Sequence, residues 1–157
     1  MRIGNGFDVH PLGAGRPLCI GGVKIPYHKG LLGHSDADVL LHALIDAILG
    51  AMALGDIGAH FPPGDPDYLA IDSRILLEKT AALMEGQGFY LINADMIIMA
   101  ERPKMKEYIP AMRRVIAEIL GCAVDDVGIK ATTTEKLGFI GREEGIAASA
   151  AVLLEKK

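Results

Sequence analysis

"GHSDADVLLHALIDAILG", Gly33 to Gly50, decides how this chain folds. On a helical wheel Leu40, Leu44 and Ile48 form one row, with Leu41, Ile45 and Leu49 beside it. Val39, Ala43 and Ala47 fill the far side, and only the row Asp38, His42, Asp46 is polar. No Lys, Arg or Glu occurs between Asp38 and Leu54. A helix without a charged face is buried on most sides, so the spacing predicts a central helix from about Asp36 to about Leu54. Buried carboxylates are costly unless paired or bound to a metal. The polar row is therefore expected to face a site rather than open water. Read structurally, Ser35 and Asp38 resemble a capping box, Asp36 suits the positive helix start, and His42 pairs with Asp46 as a core histidine with its carboxylate.

Working outward, "RIGNGFDVH" reads as an opening strand, and "LCIGGVKIP" as a hairpin turning at Gly21-Gly22. "GDIGAHFPPGDPDYLAID" is too rich in Gly, Pro and Asp for regular structure and is expected to be a functional loop. An amphipathic helix follows from Asp72-Ser73 to Gly86, then the strand "FYLINADMIIMA". A third helix spans Tyr108 to Leu120 with Gly121 as its C-terminal cap. "VGIKATT" and "IAASAAVLLE" read as strands on either side of the Gly-punctuated loop "EKLGFIGREEG". The alternation predicts one domain over residues 1–157 of α/β (α+β) class: one mixed sheet with helices packed on one face.

The 157 residues suffice for a proper core, and half of them are hydrophobic. No apolar run approaches the roughly 18 residues that span a bilayer, and the N-terminus lacks the pattern of a signal peptide. Cys19 and Cys122 form neither a metal-type pair nor a disulfide framework, so a cytoplasmic location is expected. A net charge of −4 with no basic run argues against nucleic acid as a partner and leaves room for a small anionic ligand.

The pair Asp8-x-His10 gives His42 a second reading. Residues two apart on a strand share a face, so Asp8 and His10 present a carboxylate and an imidazole side by side. With His42 they make the ligand set of a catalytic zinc site with an open fourth position. Fe(II) and Mn(II) accept the same donors. Two further segments suit anions. His34 and Ser35 are expected at the start of the central helix, where N–H groups and the dipole favour phosphate. "ATTTEK" ends a strand with the hydroxyls of Thr132, Thr133 and Thr134, and Glu135 there suits a hard cation such as Mg²⁺. Local hydroxyl turns account for the same threonines.

Together, "GFDVH", "GGVKIP", "HSDADVLLHALIDA", "LGDIGAHFP", "PKM" and "KATTTEKLGFIGREEGIA" resemble, in kind and order, the 2-C-methyl-D-erythritol 2,4-cyclodiphosphate synthases of non-mevalonate isoprenoid synthesis. The resemblance runs from Met1 to about Leu154. It implies a metal-assisted lyase in which the 2-phosphate of 4-diphosphocytidyl-2-C-methyl-D-erythritol 2-phosphate attacks the β-phosphorus of the same molecule, releasing CMP and the cyclic diphosphate. It implies zinc, or another divalent transition metal, at Asp8, His10 and His42, and Mg²⁺ or Mn²⁺ near Glu135. His34 and Thr133 would steady the transition state. Ser35, Asp38, Asp56, Ile57, Gly58, Phe61 and Asp65 would contact the substrate's phosphates and methylerythritol. Ala100, Pro103, Lys104, Met105, Lys106, Ala131, Thr132 and Thr134 would surround its cytidine end. The resemblance also implies a homotrimer with sites between subunits, and a trimer cavity near Phe139 and Arg142 that takes an isoprenoid diphosphate. Three positions depart from the family pattern: Pro63 where many relatives have Asp, Leu69-Ala70 where Lys-Gly is usual, and Ala37 where Gly is common.

Overall fold

In the computed structural model, which describes residues 1–157, the chain opens with β1 (Arg2–Gly13), β2 (Leu18–Ile20), β3 (Val23–Ile25) and β4 (Gly30–Leu31). The helices α1 (Val39–Ala51), α2 (Ile57–His60) and α3 (Ser73–Gly86) follow, then β5 (Phe89–Met99) and α4 (Ile109–Leu120). The chain ends with β6 (Val127–Thr132), α5 (Gly138–Gly141) and β7 (Gly145–Lys156). The expected hairpin is the separate pair β2–β3. The remaining strands form one mixed sheet in the order β4-β1-β7-β5-β6, with only β5 and β6 parallel. β1 passes through Pro11 because the Leu12 N–H continues the ladder to the Glu144 carbonyl at 2.8 Å.

The expected central helix is α1, but it is shorter than its apolar pattern. It starts at Val39 because Asp38 is its N-cap and Ala37 lies at φ +58°. It ends at Ala51, and Ala53 at φ +60° turns the chain away. Every residue of α1 except Asp46 and Gly50 is buried. One side of the helix lies on β1 and β7 and another is covered by α3, which leaves no solvated face to populate with charge.

Two glycines make that packing possible. A Cβ built on Gly4 would sit 1.9 Å from the Ala47 carbonyl oxygen, and one on Gly6 would sit 2.0 Å from that of Ala43. The helix backbone thus rests on the bare strand and runs antiparallel to it, Ala47 over Gly4 and Ala43 over Gly6. One step further on, His42 arrives above Asp8. The other face of β1 carries Ile3, Phe7 and Val9, which are 78%, 58% and 43% exposed. That face of the sheet has no helix on it; beyond β7 it carries the Asp95–Lys130 ion pair.

The segment expected to be irregular contains short regular pieces: α2, whose N-cap Asp56 accepts from Ala59 N–H at 2.9 Å, and a 3₁₀ turn at Pro66–Tyr68. The loop after β6 likewise contains α5. Gly121 ends α4 at φ +64°, in the left-handed form expected of it.

Replacing Gly6 with Ala is expected to lower the unfolding free energy by about 1–3 kcal/mol or more, because the methyl meets helix backbone that has no rotamer to yield. Urea denaturation checks this. Gly86→Ala, where a Cβ meets nothing within 4 Å, is the matched control and should show no loss.

Candidate active site

Three side chains converge at the end of β1. Asp8 Oδ2 lies 2.9 Å from His10 Nε2 and 3.1 Å from His42 Nδ1, and the two ring nitrogens are 3.1 Å apart. They form the one cluster of acid and imidazole groups in the chain with the geometry of a metal site. Each ring is held from behind. His10 Nδ1–H donates to the Leu32 carbonyl at 2.9 Å, which leaves Nε2 with its lone pair toward Asp8. His42 turns its Nε2 to Ser73 Oγ at 2.9 Å and Ser35 Oγ at 3.1 Å, leaving Nδ1 toward the same point. One anionic oxygen and two lone pairs then face one another, an arrangement that a cation stabilises, and the donor chemistry fits a divalent transition metal. With no metal bound and the imidazoles protonated instead, burial pushes the Asp8 carboxyl up, but hydrogen bonds and charge from His10 and His42 outweigh it and hold the group at about 2. Burial likewise pulls His10 down, and Asp8 more than compensates, so its pKa lies above the ordinary value.

The cluster opens into a cavity of about 270 Å³ lined by Asp8, His10, His34, Ser35, His42, Ile57, Gly58, Phe61, Pro63, Tyr68 and Leu76. Phe61 and Tyr68 meet edge to face at 5.6 Å and brace its apolar wall. His34 Nε2–H donates to the Asp65 carbonyl at 3.1 Å, tying one side of the mouth to the other. The Asp65 carboxylate is spent locally, accepting from Asp67 N–H at 3.0 Å.

Several expectations need correction. His34 and Ser35 do not stand at a helix start; they belong to the bend before Asp38, and the positive end of α1 is already faced by the Asp38 carboxylate. Ser35 and Asp38 form no capping box, because Asp38 is itself the cap and accepts from Leu41 N–H at 3.1 Å. Its carboxylate also accepts from Gly21 N–H at 2.9 Å and Gly22 N–H at 2.7 Å, with no exposed surface. It fastens the β2–β3 turn to α1, so its carboxylate is already engaged by three backbone N–H groups. Asp46 is not the partner of His42. It accepts from Ile57 N–H at 2.7 Å and fixes α2. Sequence reasoning missed Ser73, Tyr68 and Leu76, which lie in or just beyond the loop that carries no periodic signal, and read Asp36 only as an acid at the helix start.

The other expected site residues lie elsewhere on the chain. Thr132 ends β6 and Thr133, Thr134 and Glu135 follow it, and the Ala100 N–H donates to the Thr132 carbonyl at 3.0 Å, bringing the Ala100–Lys106 segment alongside. Thr133 accepts from Glu135 N–H at 3.3 Å. Met105 and Ala100 are buried. Phe139 is exposed, and Arg142 pairs with Glu144 at 2.9 Å. β1, β5 and β6 all run the same way, so both clusters sit at one end of the sheet. Three strand spacings, about 14 Å, separate β1 from β6 within a chain, and Glu135 does not join the Asp8/His10/His42 cluster.

A mixed sheet whose strand ends carry an acid–imidazole set able to hold a metal, beside a cavity sized for a small molecule, defines a candidate metal-dependent enzyme. Residues 1–155 match the profile of the YgbB family. The chain is 59% identical over 157 residues to 2-C-methyl-D-erythritol 2,4-cyclodiphosphate synthase of Bacillus cytotoxicus, covering all of this chain and 99% of that one. It is 60% identical over 156 residues to the enzyme of the same name from Actinobacillus succinogenes, covering 99% of each. Among solved structures, the bifunctional IspDF of Campylobacter jejuni superposes with a TM-score of 0.96 at 47% identity; the match covers 99% of this chain and 42% of that one. A Plasmodium falciparum IspF, solved as a CDP complex, gives 0.87 at 33% identity, covering 99% and 96%. The chain belongs to the 2-C-methyl-D-erythritol 2,4-cyclodiphosphate synthase family.

Asp8→Ala, His10→Ala and His42→Ala are each expected to abolish tight zinc binding, measured by competition with a chelating dye. Asp46→Asn keeps the acceptor for Ile57 and should bind zinc as the parent does; a large loss there would return Asp46 to the metal site.

Proposed function

We propose that this chain converts 4-diphosphocytidyl-2-C-methyl-D-erythritol 2-phosphate into 2-C-methyl-D-erythritol 2,4-cyclodiphosphate and CMP, a phosphorus–oxygen lyase step of non-mevalonate isoprenoid synthesis. The observation that carries it is the convergence of Asp8, His10 and His42 on one point beside the cavity, in a chain whose full-length relatives bear the synthase name. An oxygen of the 2-phosphate forms a bond to the β-phosphorus. The bond from that phosphorus to the oxygen bridging to the α-phosphate breaks, and its electron pair leaves on CMP. Asp8, His10 and His42 would hold a divalent metal there, and its positive charge would offset that of a bound phosphate. Ser35 Oγ accepts the Ala37 N–H at 3.1 Å, which leaves its own hydroxyl proton to offer a phosphate oxygen. His34, fixed by Asp65, is the residue at the mouth placed to steady the developing charge. Ile57, Gly58 and Phe61 shape the apolar wall for the methylerythritol and exclude water. Both reactants belong to one molecule, so the protein supplies alignment rather than a nucleophile.

The cytidine end is assigned to the second cluster, the main chain of Ala100–Lys106 with Ala131 and Thr132; Glu135 there would hold Mg²⁺ or Mn²⁺, and Thr133 would steady the transition state. That cluster lies across the sheet from the metal set, which suits the homotrimer with sites between subunits that the family resemblance implies. The uncovered apolar residues Ile3, Phe7 and Val9 supply the contact surface, and each site joins the β1 end of one chain to the β6 end of its neighbour. An isoprenoid diphosphate at Phe139 and Arg142, and a cytoplasmic location, accompany this reading. No helix is long and apolar enough to cross a membrane.

Phosphorus NMR of the purified protein with substrate, zinc and Mg²⁺ should show the cyclic diphosphate appearing with CMP. Release of a linear diphosphate or free phosphate would instead mark a zinc hydrolase. Sedimentation should give three times the chain mass of 16.7 kDa. His42→Ala and Glu135→Ala are each expected to be inactive alone. Unfolding and refolding them together should restore part of the activity, because some sites then take both intact halves from different chains; no recovery would place each site within one chain.

A further inference from the structure

The two histidines of the metal set are held from behind in different ways. His10 uses a main-chain carbonyl, whereas His42 depends on side chains from distant segments. Ser73 Oγ lies 2.9 Å from His42 Nε2 and 2.5 Å from Asp36 Oδ1, and Ser73 N–H donates to Asp36 Oδ2 at 3.1 Å. A carboxylate only accepts, so the Ser73 hydroxyl proton goes to Asp36. The Ser73 oxygen is then left to accept from His42, which must carry its proton on Nε2. Nδ1, the atom facing Asp8 and His10, keeps its lone pair. Ser35 Oγ also reaches Nε2, but no carboxylate orients it and it already accepts the Ala37 N–H.

We infer that Asp36 and Ser73 are positioning residues that fix the tautomer and orientation of His42 for metal binding. The inference rests on the metal reading of the site. Asp36 is itself held: its N–H donates to the Ile71 carbonyl at 3.0 Å, and Oδ1 accepts the Asp38 N–H at 3.2 Å. Ser73 is fully buried and opens α3, directly after the loop that walls the cavity. The relay therefore joins three segments, and the His42 ring is aligned only when the start of α3 is docked against the bend at Asp36.

Two readouts test this, neither of them turnover. Zinc affinity is measured by chelator competition, and the His42 tautomer by ring nitrogen NMR on the metal-free protein. The parent should show the proton on Nε2. Ser73→Ala removes the acceptor, and Asp36→Asn lets an amide donate to Ser73 Oγ, turning the Ser73 proton toward Nε2 and the imidazole proton onto Nδ1. Each should weaken zinc binding about 10–100-fold, the usual cost of losing a partner behind a ligand. The tautomer of His42 should change and that of His10 should not. Far-UV circular dichroism checks folding; if Ser73→Ala does not fold, Asp36→Asn decides. Parent-like zinc affinity and an unchanged Nε2–H tautomer in the folded variants would overturn the inference. If the parent itself binds no zinc, the metal reading fails on its own, and the tautomer measurement alone decides the relay.

Discussion

The contact on which the rest of the structure depends is backbone against backbone: the carbonyls of Ala43 and Ala47 in α1 resting on Gly4 and Gly6 of β1. Any side chain at those glycines would hold the helix off the sheet by roughly the width of a methyl group. With the gap closed, α1 loses its last solvated face, which is why its sequence carries no lysine, arginine or glutamate. The same closeness brings His42 within hydrogen-bond range of Asp8, at 3.1 Å. Packing and chemistry thus share one register: along β1 the positions facing the helix pass from glycine to the ligands Asp8 and His10, and along α1 they pass from alanine to His42.

This shared register explains what was legible in the sequence. Strand alternation places Asp8 with His10, and an uncharged helix turns His42 toward a site, so the three candidate metal donors are suggested by period, though His42 also admits a core reading. Asp38 and Asp46 lie on the same row of the wheel and were read with it, but a wheel gives direction, not neighbours. Asp38 caps the helix and holds the β2–β3 turn, while Asp46 sits lower and takes the first N–H of α2. Ser73 and Asp36 were not legible as partners of His42 or of each other. Ser73 is 31 residues from His42 and 37 from Asp36, across a loop with no period to register. The sheet class, helix order and Gly121 cap were readable because each depends on local pattern; α2 and α5 were not, since one turn of helix leaves no periodic trace.

The departures from the family pattern fall where the backbone is least tolerant. Ala37 and Ala70, where the resemblance leads one to expect Gly, adopt φ of +58° and +55°. A left-handed alanine costs about 1–2 kcal/mol relative to the right-handed form, so surrounding contacts must hold both. The two segments are laced together: Ala70 N–H donates to the His34 carbonyl at 2.8 Å and Asp36 N–H to that of Ile71 at 3.0 Å. Arg16 adds a brace from outside, donating to the carbonyls of Gly33 at 2.7 Å and Ser35 at 2.6 Å. The bend that presents His34 and Ser35 to the cavity is therefore a tied structure, and its turns persist without the glycines that would make them cheap.

Electrostatics then accounts for the division of the site. The proposed substrate brings a phosphate and a diphosphate that must approach while repelling one another, in a chain whose net charge is −4. Local positive charge cannot come from a basic surface, and the cavity has no lysine or arginine in its lining. A cation held by Asp8, His10 and His42 meets that need at one end. At the other, Glu135 and the threonine hydroxyls offer oxygen donors suited to a harder ion, about three strands away. Two cations held three strands apart at the same end of the sheet would repel each other little in the free protein. Their fields would then combine only where two chains meet over one substrate. Assembly would be part of the chemistry because no single chain places both clusters against the same phosphate.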